Sequence, residues 1–272
     1  MNTKLLSLSI LLLLFSLPEI SIAQGDLMIM PKRLVFDGSQ RSQEINLANT
    51  GSDTAVYAIS FVNYKMTESG NFEQVEVPEE GQQFAQDFLR YFPRRVTLAP
   101  NEAQTIRVQV TRTGNLEPGE YRSHMYFRAV EEQTALGTEE AEESEGISIN
   151  IKTVFGISIP IIIREGESTT QLELSNIELQ REDENPKLSL VLNRTGNMSV
   201  YGNIQVDHIS PQGDETEVGI VKGVSVYTPN KKRNFSFDLR NSQDVNLNSG
   251  KLRVSYTEEN GKILASTDID LN

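Results

Sequence analysis

The sequence predicts an all-β protein made of two β-sandwich domains that follow a cleaved secretion signal. The first observation is that apolar and polar residues alternate with a period of two along most of the chain, which is typical of half-buried strands. The second is that turn-forming residues interrupt this pattern at intervals of roughly 8–12 residues, as in sandwich proteins. The third is length, because what remains of the 272 residues after the signal accommodates two sandwiches of about 100 residues each.

The first segment, Met1 to Ala23, has the organisation of a secretory signal peptide. Lys4 supplies the positive end, Leu5 to Leu17 form the apolar run, and Ser21-Ile22-Ala23 is a small-x-small cleavage site. The apolar run is too short and wrongly flanked to span a bilayer. We therefore expect cleavage after Ala23 and no membrane insertion of the mature chain.

Residues 24–164 form the first predicted domain. Turn residues at Asp37-Gly38 and at Glu117-Pro118-Gly119 mark its strand ends. Its strands are predicted near Leu34–Phe36, Ser42–Asn49, Val56–Tyr64, Thr105–Val110 and Tyr121–Val130.

Two segments of this domain lack a clear strand pattern. Residues 82–91 place apolar side chains at i, i+4 and i+5, which is compatible with a short helix or with an irregular connection. Residues 131–145 contain seven Glu and no Lys or Arg. This acidic composition predicts a solvated loop.

The stretch from Ile147 to Ile163 is the most informative part of the chain. A large apolar residue occupies every odd position except Thr153, which predicts a strand with one fully apolar face. Pro160 cannot donate to a hydrogen-bond ladder, so part of this strand lies at a sheet edge. A long apolar edge recruits other strands, and native proteins normally avoid it. Its presence here indicates an edge that is used for binding.

Residues 165–272 form the second predicted domain, which begins with the short linker at residues 165–169. Seven strands are predicted, the minimal set of an immunoglobulin-like sandwich. They are Leu172–Leu179, Lys187–Asn193, Val200–Ile209, Glu217–Val226, Asn234–Leu239, Gly250–Thr257 and Lys262–Ile269.

The composition excludes several classes of function. The chain has no Cys and only two His, His124 and His208, so neither thiol catalysis nor a His-rich metal site can be built. No phosphate-binding loop or nucleophile-elbow motif is present. We predict no catalytic residue, no metal site and no cofactor. The net charge of −13 argues against nucleic acid and anionic lipid as partners.

Five stretches of the first domain resemble PapD-like periplasmic chaperones, which assemble pili by the chaperone-usher pathway. They match that family in order and spacing over most of the domain. The stretches are Pro31–Gly38, Ile45–Gly51, Leu98–Arg107, Leu116–Phe127 and Ile159–Arg164.

The resemblance implies two immunoglobulin-like domains and a chaperone that captures strand-deficient pilin-like subunits in the periplasm. Such subunits lack a final strand, and the chaperone lends its own edge strand to fill the groove. Ile147, Ile149, Ile151 and Phe155 would be the donated row, with Thr153 interrupting it. The further partner that the resemblance implies is an outer-membrane usher.

In this family two basic residues clamp the C-terminal carboxylate of the subunit. Arg33 falls on the first position, and a guanidinium suits a carboxylate because it can bind both oxygens. The second position, normally Lys, is Pro160 here. Lys152 and Arg122 are the candidate substitutes for the second contact.

The family also tends to carry an acid that pairs with the basic residue at the domain junction, which is Arg164 here. Arg122 stands where that acid is expected, and two guanidinium groups side by side would repel. We therefore expect Arg164 to pair elsewhere, with Glu258 or Glu259.

Two alternatives accompany this interpretation. The missing Lys favours a PapD-like structural or adhesive extracytoplasmic protein that works without an usher, since a fold does not fix a function. The apolar edge strand also predicts that the free protein can associate with itself.

Overall fold

The computed structural model describes residues 27–111, 114, 116–130, 155–181, 186–240 and 245–271. The regular secondary structure of these residues is almost entirely β-strand, which confirms the predicted all-β class; one turn of 3-10 helix occurs at Gln86–Phe88. The strands are β1 (Leu27–Met30), β2 (Leu34–Phe36), β3 (Ser42–Asn49), β4 (Ala55–Val62), β5 (Tyr64–Met66), β6 (Phe72–Gln74), β7 (Leu89–Phe92), β8 (Arg95–Leu98), β9 (Ala103–Val110), β10 (Gly119–Val130), β11 (Gly156–Glu165), β12 (Gln171–Gln180), β13 (Lys187–Thr195), β14 (Val200–Ile209), β15 (Glu215–Val226), β16 (Lys232–Asp238), β17 (Gly250–Glu258) and β18 (Ile263–Leu271).

Strands β1 to β11 build the first half of the molecule. One sheet has the order β1-β3-β9-β7, the other the order β2-β11-β10-β4-β8, and β5 pairs with β6 as a separate hairpin. Alternate residues of both sheets point inward, so Ile45, Leu47, Ile106 and Phe127 are fully or almost fully buried in one core. This is the inward alternation of a sandwich.

Strands β12 to β18 build the second half with a core of its own. Its sheets have the orders β12-β13-β16 and β15-β14-β17-β18. Leu190, Val206, Val254 and Tyr256 are buried between them, and the Tyr256 hydroxyl donates to the Val224 carbonyl oxygen at 2.7 Å. The division of the chain at residues 164 and 165 stays a prediction.

Strand β11 has two different neighbours along its length. It pairs with β10 in antiparallel register from Gly156 to Glu165, and with β2 in parallel register only from Ile161 to Ile163. The segment from Gly156 to Pro160 therefore has one strand neighbour among the described residues. Pro160 lies in this edge segment, where its lack of an N–H group is tolerated.

The two halves are joined at a buried acid. Glu120 on β10 stands opposite Arg164 on β11, and Arg164 Nε lies 3.2 Å from Glu120 Oε2. The same carboxylate accepts hydrogen bonds from the amide and the hydroxyl of Ser199 in the second half. Arg164 also donates to the Ser199 carbonyl oxygen at 2.8 Å.

This arrangement corrects the predicted partners of Arg164. Its acidic partner is Glu120, neither Glu258 nor Glu259, and its opposite residue is not Arg122, which faces Ile162. The physical reason is register. The acid stands two residues earlier on β10 than expected, on the same face of the strand because the side-chain period is two.

The connection between β4 and β8 differs from the expectation as well. Residues 82–91 include the 3-10 turn at Gln86–Phe88 and most of β7, so the segment is neither a regular helix nor wholly irregular. The β5–β6 hairpin was not predicted. Its tip reaches the second half, where the Asn234 amide donates to the Glu68 carbonyl oxygen at 2.7 Å.

Several predicted features lie outside the described residues. They are the signal peptide, the acidic segment 131–145 and the side chains of Ile147, Ile149, Ile151 and Lys152.

Candidate functional site

The apolar row of β11 passes from the core to the surface. Ile159, Ile161 and Ile163 are buried in the core of the first half, at 4% exposure or less. The preceding residues of the same row are exposed: 38% of Ile157 and 49% of Phe155 are accessible to solvent. The strand pairing with β10 continues to this end, since the Ala129 amide donates to the Phe155 carbonyl oxygen at 3.0 Å. The exposed end is thus held in strand geometry.

The opposite face of β10 and β11 is directed at the second half of the molecule. Arg122 and His124 lie on this face of β10, beside Ile162 on β11. Ile162 is fully buried in a small third cluster with Met66 and Tyr227. Side chains from both halves therefore enclose the space next to Arg122.

Arg33 reaches this junction from the segment before β2. Its guanidinium carbon lies 3.9 Å from the centre of the Tyr201 ring, a cation–π distance. Its Nε atom is buried and has no hydrogen-bond partner in the described part of the chain. The sequence-predicted anchor is therefore half-buried at the junction and keeps a free donor.

Arg122 is more deeply buried, at 4% exposure. Its Nη2 donates to the carbonyl oxygens of Thr228 at 3.2 Å and of Tyr64 at 3.4 Å, and its guanidinium carbon lies 4.2 Å from the centre of the Tyr227 ring. Nε and Nη1 are buried without a partner among the described residues. Burial lowers the pKa of Arg122, while Tyr227 and Glu120 act in the opposite direction; an arginine nevertheless stays protonated.

Tyr227 interacts electrostatically with both cations. Burial raises the pKa of its hydroxyl, and the guanidinium groups of Arg33 and Arg122 act in the opposite direction. Both cations are thus within electrostatic reach of one hydroxyl. We call Arg33, Arg122 and Tyr227 the junction cluster.

Aromatic rings cover this cluster on the side of the β5–β6 hairpin. His124 packs edge to face on Tyr64 at 5.0 Å and on Phe72 at 5.6 Å, and Phe72 lies 6.1 Å from Tyr227. Burial, with a smaller contribution from Arg122, lowers the pKa of His124 to about 3. The imidazole is therefore neutral near pH 7, so the nearby positive charge comes from the two arginines.

The structure brings together only some of the residues singled out from the sequence. Arg33 and Arg122 meet at the junction, whereas Phe155 lies at the exposed end of β11. Sequence reasoning missed Tyr201 on β14 and Tyr227 directly after β15, both far along the chain. No motif marks them, because their position depends on how the two halves pack.

Among the described ranges, no group of three or more His, Cys, Asp or Glu residues could hold a metal ion. Within the same ranges, no helix has both the length and the apolar character needed to cross a membrane.

Comparison with protein-family models finds no match, and comparison with curated proteins also finds none. Solved structures do resemble the chain. CfaA, a chaperone of class 5 fimbriae, is 16% identical, with a TM-score of 0.45 over 90% of this chain and 99% of that one. The CupB2 chaperone of Pseudomonas aeruginosa is 14% identical, with a TM-score of 0.39 over 90% of this chain and 100% of that one.

The SafB chaperone of Salmonella enterica, seen in complex with the SafA pilin, is 11% identical. Its TM-score is 0.39, over 90% of this chain and 96% of that one. All three proteins are named as chaperones.

Proposed function

We propose that this protein is a periplasmic chaperone that captures strand-deficient surface subunits by lending them its apolar edge strand. The observation that carries the proposal is the exposed end of β11. Phe155 and Ile157 continue a row whose other members are core residues, yet they lie largely outside the core. An apolar row held in strand geometry at a free edge is the donor required for strand addition.

The length of the row supports capture of a whole groove. If the strand extends back to residue 147, its side-chain period of two puts Ile147, Ile149 and Ile151 on the same face as Phe155 and Ile157. Each of these side chains would contribute about 1.5–3 kcal/mol if it were fully buried in a subunit. Ordering and association costs reduce this sum, but several anchors suffice for tight binding.

The junction cluster supports a carboxylate anchor. Three buried nitrogen atoms, Nε of Arg33 and both Nε and Nη1 of Arg122, have no acceptor among the described residues. Leaving a buried donor unpaired costs about 1–3 kcal/mol, and more when the group is charged. A carboxylate would supply the missing acceptors and compensate the charge. The C-terminus of a captured subunit carries such a group.

Arg122 is the residue that we propose in place of the missing Lys. On β11 the expected Lys position is Pro160, whose partner across the ladder is His124, and Arg122 is two residues from His124 on the same face. Diagonal neighbours of this kind are about 7–8 Å apart, within reach of a long side chain. In this proposal the second basic residue of the anchor is therefore on β10, whereas the family carries it on the strand that corresponds to β11. We further propose that the captured subunit is passed to an outer-membrane usher.

The test is capture of a client in the periplasm. A surface subunit that lacks its final strand is co-expressed with the protein and purified through a tag on the subunit. We expect co-purification with wild type, and loss of it with Ile151→Asp, because a charge cannot enter an apolar groove. Ile263→Asp on β18 is the matched control, since Ile263 is also an exposed isoleucine, at 61%.

The same preparations separate binding from folding. Ile151→Asp should keep the denaturation midpoint of wild type, because the proposal places this residue on the free edge. Loss of folding would show that the row belongs to the protein's own core. Capture by Ile151→Asp at the wild-type level would equally refute strand donation by this segment.

A further inference from the structure

The first half of the molecule carries a second concave site, beside β7 at the end of the sheet that does not contain β11. It is an open concavity of about 480 Å³, lined mainly by β7 together with residues of β4 and β9. We call it the arginine pocket. Its defining residues are Arg90, Arg94, Arg107, Phe61, Tyr91 and Phe92.

The charge of the pocket contrasts with that of the chain. The whole protein has a net charge of −13, yet the residues lining this concavity include three arginines and no acid. Arg107 donates from Nε to the Ser42 hydroxyl, and none of the three forms an ion pair in the part of the chain that the structure describes. Glu44 stands opposite Arg107 on β3 without pairing with it. The pocket therefore presents unneutralised positive charge.

The pocket also offers aromatic surface. Phe92 is 77% exposed and stands opposite Arg107 in the β7–β9 register. Behind it, Tyr91 packs edge to face on Phe61 at 5.1 Å and donates its hydroxyl to the Ile59 carbonyl oxygen. The ring of Tyr91 is thus fixed while that of Phe92 is free to make contacts. Exposed aromatic residues beside arginines are the side chains most enriched at the centres of protein interfaces.

The main chain of β7 points to a peptide as the ligand. Strand β7 is the last strand of its sheet, with β9 as its one strand neighbour among the described residues. A free strand edge can pair with an extended peptide, and alternate side chains of that peptide then meet the sheet surface. Nucleic acid lacks the peptide N–H and C=O groups that pair with a strand edge.

We propose that the arginine pocket binds an extended acidic segment of a partner protein that carries an aromatic or aliphatic residue next to its carboxylates. The carboxylates pair with the guanidinium groups of Arg90, Arg94 and Arg107. The apolar side chain packs on Phe92, and the backbone of the segment runs along β7. This site is separate from β11 and the junction cluster, so it does not depend on the proposed chaperone function.

The experiment measures fluorescence anisotropy of a labelled peptide of alternating glutamate and phenylalanine with the full mature chain. We expect saturable binding of this peptide, with an affinity that falls as salt is added. Arg90→Glu or Arg107→Glu should each lower the affinity about tenfold. Phe92→Ser should weaken it through loss of the apolar contact. Arg240→Glu, at an exposed arginine of the second half, is the matched control and should bind like wild type.

Three outcomes would overturn the proposal. The first is equal or tighter binding of a peptide of alternating lysine and phenylalanine. The second is binding of the acidic peptide that Arg90→Glu, Arg107→Glu and Phe92→Ser all leave unchanged. The third is preferential binding of a single-stranded oligonucleotide through the same arginines. The denaturation midpoint of each variant is measured as a control, since every substituted residue is exposed. An unchanged midpoint shows that a lower affinity comes from the lost contact and not from unfolding.

Discussion

Glu120 and Arg164 stand directly opposite each other on β10 and β11, with Nε of the arginine 3.2 Å from Oε2 of the acid. The Glu120 side chain is fully buried, whereas 26% of the Arg164 side chain is exposed. Through Ser199 the pair is bonded to the second half of the molecule. One ion pair thus connects the last strands of the first half to the start of β14.

Replacing Glu120 by Ala should destabilise the protein strongly. The change leaves the Arg164 guanidinium without its acid and the Ser199 amide without its acceptor. Breaking a buried pair costs about 3–5 kcal/mol, and partial solvent contact of Arg164 favours the lower end. Chemical denaturation measures the effect. Asp270→Asn breaks the exposed Lys251–Asp270 pair and is the control; an equal loss in both variants would contradict a special role of Glu120.

Ile157 and Ile159 offer a matched pair on one face of one strand. Ile159→Asp puts a charge at a site that is 4% exposed, so we expect a loss of several kcal/mol or failure to fold. Ile157→Asp changes a site that is 38% exposed and should keep the wild-type melting temperature while it reduces subunit capture. Thermal unfolding and co-purification are measured together. Equal destabilisation by the two changes would show that Ile157 is a core residue.

Arg122→Met separates a binding role from a structural one. The substitution removes a buried cation that has two nitrogen atoms without a partner among the described residues, and fills the space with an apolar chain. Replacing buried charge by apolar side chains is often neutral or stabilising, so the stability of the free protein should change by no more than about 1–2 kcal/mol.

Subunit binding should fall, because one of the two proposed carboxylate contacts is gone. Arg33→Ala should likewise remove about 1.5–3 kcal/mol of binding free energy. Both quantities are obtained by titrating the variants with a client and by unfolding each variant alone. An Arg122→Met protein that binds normally would remove Arg122 from the anchor, and one that unfolds would show that Arg122 is structural.

Stability should fall in acid because of His124. Its folded pKa is lowered to about 3 by burial and by Arg122, whereas the unfolded side chain titrates near 6.5. The unfolded state therefore binds the extra proton first as pH falls. Stability is complete above pH 6.5 and declines by up to about 1.4 kcal/mol per pH unit between about 6.5 and 3. In His124→Phe this part of the slope should disappear when denaturation midpoints are compared from pH 7 to pH 4; an unchanged slope would refute it.

The period-two pattern predicted most strands of the molecule, because alternation follows directly from one buried and one solvated face. The strands that escaped prediction are short, although the three-residue strand Leu34–Phe36 was predicted. Leu27–Met30 and Leu89–Phe92 each have four residues, which is too few for alternation to be distinguished from chance. The Tyr64–Met66 and Phe72–Gln74 hairpin was missed for the same reason.

The candidate site was less predictable than the strands. Arg33 could be singled out because it lies in a contiguous stretch that resembles a known family. The role of Glu120 could not be predicted, because the acid lies two residues before the position expected for it, Arg122. An offset of two keeps a side chain on the same face of the strand but changes which residue it meets on the neighbouring strand. Tyr227 comes from more than a hundred positions away in sequence and reaches Arg122 only through the packing of the two halves.

In the part of the chain that the structure describes, strand β11 is internal at one end, where β2 covers Ile161 to Ile163, and has a free edge at the other, from Gly156 to Pro160. The covered end fixes the alignment of the whole strand, since a slip by one residue would turn Ile161 and Ile163 out of the core. The free end consequently cannot slide or rotate to suit what binds it. The apolar side chains of an added strand must therefore match the positions of the side chains along β11, which the protein's own core fixes. A segment whose apolar residues are spaced differently cannot be accommodated by a shift of β11.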